Sequence, residues 1–409
     1  SNIRVVPIMI HKANVSFLFI DEIATLNAEM QQELLTAIQE KQMPITGRSE
    51  RSAGAMVRST PAPTDFILVA AGNMETLKHM HPAIRSRIRG YGYEVYMKDN
   101  MDDTIENRKK IIQFIAQEIK QDGKIPHFTP QACELIVREA KRRADKGKEL
   151  TTRFRDLGGI VRAAGDIAKE NNHKLVDEND VQLALDKIKS IESQMISRYV
   201  DNRRNYSLIS TEGSEIGKVN GLAVIGQAPP YAGMVMGIEA EVTPGGKKGE
   251  IFATGKLGDI AKESITNISA IMKKAFGDDI KDSKDIYVQF VQAYNVDGDS
   301  ASIAIATAIF SAYFKIPIKQ SIAMTGSLSI RGQVLPIGGV SAKVEGAHEQ
   351  GIHRVIVPQT NMQDLIVKDE LQSKMKIIPV SYFYEVLEEM LEWSDDNKHI
   401  LDEIKKAIN

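Results

Sequence analysis

The 409-residue sequence predicts a mixed α and β protein in three parts: an α/β segment, an all-α block and an α+β segment. Three observations carry the prediction. Short apolar runs alternate with amphipathic stretches up to about Tyr96. Helical spacing takes over from Asn100 to about Arg198, and strands punctuated by glycine return from Val200 to about Trp393. At roughly 150 residues per domain the length allows two or three hydrophobic cores, so each part can fold around its own.

In the first part, residues 1–98, Ser16 to Ile20 is a short apolar strand ending in Asp21-Glu22. Asn27 then caps a helix that carries Met30, Leu34, Leu35 and Ile38 on one face. Phe66 to Ala71 reads as a second strand, buried as in a parallel sheet, and the polar stretch Thr46 to Thr64 as a projecting loop or hairpin. In the second part, residues 99–198, Ile105, Ile111, Ile112, Phe114, Ile115 and Ile119 recur at helical spacing. Further amphipathic helices are expected around Glu134 to Arg143, Asp156 to Glu170 and Glu178 to Ile191, and no strand is needed there. The third part, residues 199–396, alternates strands and helices. Residues 397–409 form a charged tail expected to be a frayed helix.

Composition excludes several classes. Hydrophobic residues at 43% and charged residues at 26% are those of a soluble globular protein, and the single cysteine, Cys133, excludes an internal disulfide framework and fits a reducing cytoplasm. A net charge of -2 gives no reason to expect nucleic acid. The basic run Lys141, Arg142, Arg143, Lys146, Lys148 alternates with Glu139, Asp145 and Glu149 and reads as a solvated helix end. No stretch reaches the roughly 18 to 20 apolar residues of a membrane helix. Ser300 to Phe314, the most apolar, reads as a buried helix.

Two places carry chemistry. Phe17-Leu18-Phe19-Ile20-Asp21-Glu22 has the form of a Walker B strand, which delivers one carboxylate to hold Mg²⁺ and another to orient water. Further on, Asp297-Gly298-Asp299-Ser300-Ala301-Ser302 turns from a strand into a helix and exposes a serine at its start. By itself such a serine is an ordinary N-cap. It does not belong to a Gly-x-Ser-x-Gly elbow, because Ser302 stands where the last glycine should be.

The first region resembles AAA+ ATPases. Asn73, in Ala71-Gly72-Asn73, matches the sensor 1 position, and His81-Pro82-Ala83-Ile84-Arg85-Ser86-Arg87 resembles the stretch that presents an arginine finger. The resemblance makes Arg87 the finger and Arg85 the reserve, and Arg155 the sensor 2 arginine of a helical lid. Nowhere does Gly-x-x-x-x-Gly-Lys-Ser/Thr occur; Gly249 to Lys256 has the wrong spacing. Since the P-loop precedes Walker B in these proteins, the expectation is a chain truncated before that strand that binds ATP poorly. In the intact parent, ATP and Mg²⁺ would meet Asp21, Glu22, Asn73, Arg87 and Arg155, with Asp21 on the metal.

The segment Met324 to Lys343, with Thr325-Gly326-Ser327-Leu328 and Pro336-Ile337-Gly338-Gly339-Val340-Ser341-Ala342-Lys343, resembles the signature of Lon proteases, and the interval from Ser300 to Lys343 is the family spacing. The AAA+ and lid segments look most like archaeal B-type Lon. The resemblance implies a partial AAA+ α/β module, a helical lid and a Lon-type Ser-Lys peptidase domain. Ser300 is then the nucleophile, Lys343 its general base and Thr325 a residue that steers the lysine. Asp297 either shapes the turn or pairs with Lys343 in an idle state.

A lysine serves as base only when burial or nearby positive charge lowers its pKa, and a helix start capped by Ser341 would contribute. Backbone N–H groups around Gly298 to Ser300 could supply an oxyanion hole. His348 and His353 read as a solvated helix end.

The implied activity is ATP-dependent endopeptidase action on unfolded or misfolded polypeptides by a homo-oligomer, a hexamer in the parent, with no cofactor for the peptide chemistry itself. The location is cytoplasmic, and an upstream membrane anchor in the parent would lie outside this chain. A non-proteolytic AAA+ remodeller with a structural Lon-like domain is the alternative, and a small-molecule serine hydrolase a third. A relic would have no reason to keep Ser300, Lys343 and Thr325 together.

Overall fold

A computed structural model describes residues 8–48, 56–189, 209–225, 232–245, 249–253, 258–277, 284–291 and 299–409, with 191, 194, 195 and 198 between them. The chain divides into two compact units, Ser1–Met97 and Lys98–Asn409.

In the first unit, strand β1 (Ser16–Ile20) is joined by helix α1 (Ala28–Glu40) to a hairpin, β2 (Gln42–Arg48) and β3 (Met56–Pro63). Strand β4 (Phe66–Ala70) and helix α2 (Pro82–Tyr91) follow. Asn27 caps α1, its Oδ1 accepting from the Met30 amide at 2.8 Å, as the sequence predicts. The hairpin takes up the polar stretch, and β1 and β4 pair in parallel with Phe17 opposite Ile67. Burial departs from expectation. Period-2 alternation points Leu18, Ile20, Phe66 and Leu68 toward a core with Leu34, Leu35 and Ile84, while Phe17, Phe19, Ile67 and Val69 stay exposed, Phe19 at 72%. Among the described residues, helices cover one face of this sheet only. Met30 is likewise half-exposed rather than on the buried face, where Gln31, Leu34, Leu35 and Ala37 sit.

The second unit opens with four helices: α3 (Ile105–Asp122), α4 (Pro130–Ala144), α5 (Phe154–Glu170) and α6 (Glu178–Lys187). Thr104, Thr129 and Asp177 cap three of them, and Ile111, Ile115 and Ile119 pack with Ile136, Leu157, Ile160 and Val161. The block is not strand-free. Asn100–Asp102 (β5) pairs antiparallel with Glu149–Thr151 (β6), strands too short to show a period in sequence.

Beyond it lies a mixed seven-stranded sheet. Its strands in chain order are β7 (Lys218–Ile225), β8 (Ala232–Pro244), β9 (Ile251–Ala253), β10 (Lys284–Val291), β11 (Ile322–Met324), β12 (Arg354–Pro358) and β13 (Lys376–Val380). Their spatial order is β9-β10-β8-β7-β11-β12-β13. The hairpin β7-β8 and the β8-β10 pair are antiparallel; β11, β12 and β13 run parallel. Helices α7 (Gly258–Phe276) and α8 (Ser302–Phe314) pack in one core with Phe310, Ile309 and Ile238. Helix α9 (Val340–Glu349) packs in another, with Leu222, Val235, Val344 and Val355.

The charged tail is not frayed. After α10 (Phe383–Met390), residues Lys398–Ile408 form α11, whose Leu401, Ile404 and Ala407 are buried. Its apolar residues recur every three to four positions, the spacing of a helix with one face in a core, and Leu401 and Ile404 join Phe310 and Val386 there.

Candidate active site

Ser300 lies in a single 3-10 turn, Asp299–Ala301, that leads directly into α8. Helix α8 is buried on every side from Ser302 to Ala312, so its start is rigidly placed. The turn is tied down from the β11 side. The Ser300 carbonyl accepts from the Gly326 amide at 2.9 Å and from the Thr325 hydroxyl at 3.2 Å, and the Ile303 amide returns a bond to the Gly326 carbonyl. A Cβ on Gly326 would stand 2.9 Å from both Ile303 Cδ1 and Val334 Cγ1, so a larger residue would require those side chains to shift. The Ser302 hydroxyl donates to the Asp299 carbonyl, and the Ser327 hydroxyl to the Asp299 carboxylate at 2.6 Å.

Lys343 sits in the first turn of α9 and is 1% exposed. Two glycines place it. Cβ atoms on Gly346 and Gly233 would overlap, respectively, the Gly233 backbone and the Ala342 carbonyl, so α9 lies on β8 backbone to backbone. Burial drives the Lys343 pKa down to about 8, against the opposing pull of the Asp145 and Asp299 carboxylates. With that value about a tenth of the lysines carry a free amine at pH 7. The fold therefore brings the lysine within the field of the residue next to Ser300.

Ser341 does not cap α9. The helix starts from Gly339, whose φ of 69° lies in the left-handed region, and Ser341 is already inside it. The Ser341 hydroxyl accepts from the Ile366 amide at 2.9 Å. The cap comes from the lid instead: Asp145 Oδ2 accepts from the Gly339 amide at 2.6 Å. The run read as a solvated helix end is accordingly an interface. Arg142 and Arg143 both pair with buried Glu139, and Arg142 also reaches Glu345 on α9 at 3.4 Å. Sequence reasoning missed Asp145, and charge pattern alone held no signal for a partner so distant in the chain.

Asp297, Gly298 and the expected oxyanion donors before Asp299 lie outside the described residues, as do parts of Gly249 to Lys256. His348 and His353 face one another, Nδ1 to Nδ1 at 3.2 Å, on the far end of α9.

In the first unit Asp21 and Glu22 follow β1 directly. Glu22 adopts a left-handed conformation, and its Oε1 accepts from Asn73 Nδ2 at 3.0 Å, so the expected neighbours meet at the end of the β1–β4 pair. Arg85 pairs with Glu94, while the Arg87 guanidinium stands over the Tyr91 ring at 5.6 Å. Arg155 is exposed in the first turn of α5.

The structure thus holds a buried lysine of lowered pKa and a braced serine turn, and comparison with known proteins shows the family of the chain. The sequence model of the Lon protease (S16) C-terminal proteolytic domain matches residues 190–393, and that of the archaeal LonB AAA+ ATPase lid domain matches 127–190. The chain belongs to the Lon protease family. A Sigma-54 interaction domain model matches residues 8–78. The chain is 56% identical over 408 residues to the archaeal Lon protease of Thermococcus kodakarensis, covering 99% of this chain and 64% of that protein. It is 54% identical to that of Pyrococcus abyssi over all of this chain, of which it spans 41%, and 52% identical to that of Archaeoglobus fulgidus. This Lon chain thus spans between about two fifths and two thirds of these relatives' lengths. Among the described residues no helix is long and apolar enough to cross a membrane.

Proposed function

We propose that the chain hydrolyses peptide bonds of unfolded or misfolded polypeptides with a Ser300–Lys343 dyad, and that ATP hydrolysis in an AAA+ ring delivers those substrates. The observation that carries the reading is the burial of Lys343, which holds its pKa at about 8, close enough to neutrality for a base. The Lys343 amine takes the Ser300 proton as Oγ attacks the carbonyl carbon, and returns it to the leaving amine when the tetrahedral intermediate collapses. Water then attacks the acyl-serine in the same way. Thr325 and Gly326 hold the Ser300 carbonyl, keeping the turn in place through both steps. Asp297 is assigned to shaping the turn or restraining the lysine.

Residues 1–98 serve as the α/β part of an AAA+ module, 99–198 as its lid and 199–396 as the peptidase domain, with 397–409 appended to it. The exposed carboxylates Asp21 and Glu22 suit the metal-and-water half of a nucleotide site: Asp21 would hold Mg²⁺, and Glu22, oriented by Asn73, would direct water. Bound there, the metal would neutralise phosphate charge. The phosphate cradle of a P-loop is not encoded in these 409 residues. Arg87 is assigned as the finger toward a neighbouring subunit and Arg155 as the lid arginine, in a hexameric ring.

The test is cleavage of an unstructured fluorogenic peptide. The chain should hydrolyse it without ATP, and ATP with Mg²⁺ should change nothing. Ser300→Ala and Lys343→Met should each abolish cleavage, and more than a few per cent residual activity in either would sink the dyad.

A further inference from the structure

The seam between lid and peptidase domain runs to the base of the helix that carries Lys343. Asp145 terminates α4 in a left-handed conformation, with φ of 54°, which swings its carboxylate onto the Gly339 amide at 2.6 Å. Four further contacts fix the approach. Arg142 reaches Glu345, Arg138 Nη2 donates to the Val367 carbonyl at 3.0 Å, Lys368 pairs with Asp186 at 3.2 Å, and the Gly147 amide donates to Asp364 Oδ1 at 2.9 Å. At Gly147 the backbones touch, since any Cβ there would overlap the Gln363 carbonyl.

We propose that Asp145 is a positioning residue of the peptidase site: delivered by the lid, its carboxylate caps the Lys343 helix and sets the charge that the lysine faces. The inference rests on the Ser300–Lys343 reading. Two consequences oppose one another. The cap satisfies an amide that α9 leaves open at its start and holds Lys343 in place. The same negative charge favours the ammonium form, so it restrains the base. A lid drawn away from Gly339 would free the amine, and a lid pressed home would keep it partly protonated.

Among the described residues, two carboxylates act on Lys343. Asp145 comes from the end of α4 and Asp299 from the turn before α8, and both favour its protonation. Asp364, on the segment after β12, acts on Asp145 rather than on the lysine. Glu345 on α9 itself is taken by Arg142. Burial pushes the Asp145 carboxyl up from its ordinary value, while the Gly339 amide and Lys343 pull it down.

The experiment titrates Lys343 directly in the whole chain by NMR of ¹³Cε-labelled lysine, the resonance being assigned by its loss in Lys343→Met. Asp145→Asn keeps an acceptor for Gly339 but removes the charge, so the titration midpoint should fall by about half a pH unit or more. The acid limb of peptide cleavage should fall with it. Gly147→Ala, which wedges the seam and leaves Asp145 intact, should shift the midpoint the same way. Midpoints in both variants within a tenth of a unit of the wild type would overturn the proposal. The titration needs no turnover, so a chain that fails to cleave peptide through Ser300 would defeat the dyad reading and still decide this one.

Discussion

Gly346 of α9 and Gly233 of β8 meet backbone to backbone, with no room for a side-chain carbon on either. This contact sets the depth at which Lys343 is buried, because Ala342 and Lys343 lie directly against Gly233. Alanine at 346 should therefore lift the helix from the sheet. We expect a loss of about 1–3 kcal/mol in stability by denaturant unfolding and a fall in kcat of more than tenfold. Wild-type kcat in a folded Gly346→Ala variant would show that the lysine is not placed this way.

The pH profile follows from the depressed lysine. Only the free amine can accept the serine proton, so kcat/KM should climb through an acid limb centred near pH 8. A limb centred near pH 6 to 7 would instead implicate a histidine.

Stability carries the same signature with its own sign. Below about pH 8 both folded and unfolded chains hold the Lys343 proton, and the cost of burying that charge is fully present. From about 8 to 10.5 the folded state has released a proton that the unfolded state keeps, so stability rises with pH. Lys343→Met removes the cost altogether. It should be inactive and yet more stable than the wild type at pH 7, on the order of 3 kcal/mol, with the gap narrowing by pH 10. Equal melting temperatures at pH 7 would contradict the burial argument.

Thr325→Val removes one of the two donors to the Ser300 carbonyl and leaves the Gly326 amide in place. The expected losses are about 1 kcal/mol of stability and roughly tenfold in kcat, with KM little changed. A rise in KM alone would place Thr325 in substrate binding.

Ile404→Ala tests the terminal helix. Ile404 is fully buried among Phe310 and Val386, so truncation should cost about 2–5 kcal/mol, where a frayed tail would show no effect in a melt.

The parts of this fold that were legible in sequence are those whose information is local. Asn27 capping α1 and the repeat Ile111-Ile115-Ile119 each depend on neighbours within a few positions. The run from Met324 to Lys343 is legible through its resemblance to the Lon signature, not through a local physical pattern. Asp145 was not legible. Its partner Gly339 is far away in the chain, and a carboxylate among arginines looks the same whether it faces water or a helix end. Serine before a helix is usually its cap, but here Gly339 starts the helix two residues before Ser341 and an external carboxylate caps it. The exposed faces of Phe17, Phe19, Ile67 and Val69 were missed since apolar strands carry no mark of which side is covered.

Helix α8 is enclosed on all sides, and even its polar groups are satisfied within the chain, Thr307 by the Ile303 carbonyl and Ser311 by the Ile316 carbonyl and the Gly217 amide. Its amides should exchange with deuterium only when the whole domain opens, whereas the start of α9 depends on a carboxylate supplied by the lid. The two side chains of the proposed dyad thus hang from differently supported helices, α8 held by its own enclosure and α9 in part by the lid. A change at the lid contact would therefore reach the lysine side of the proposed site and leave the serine side on its own supports.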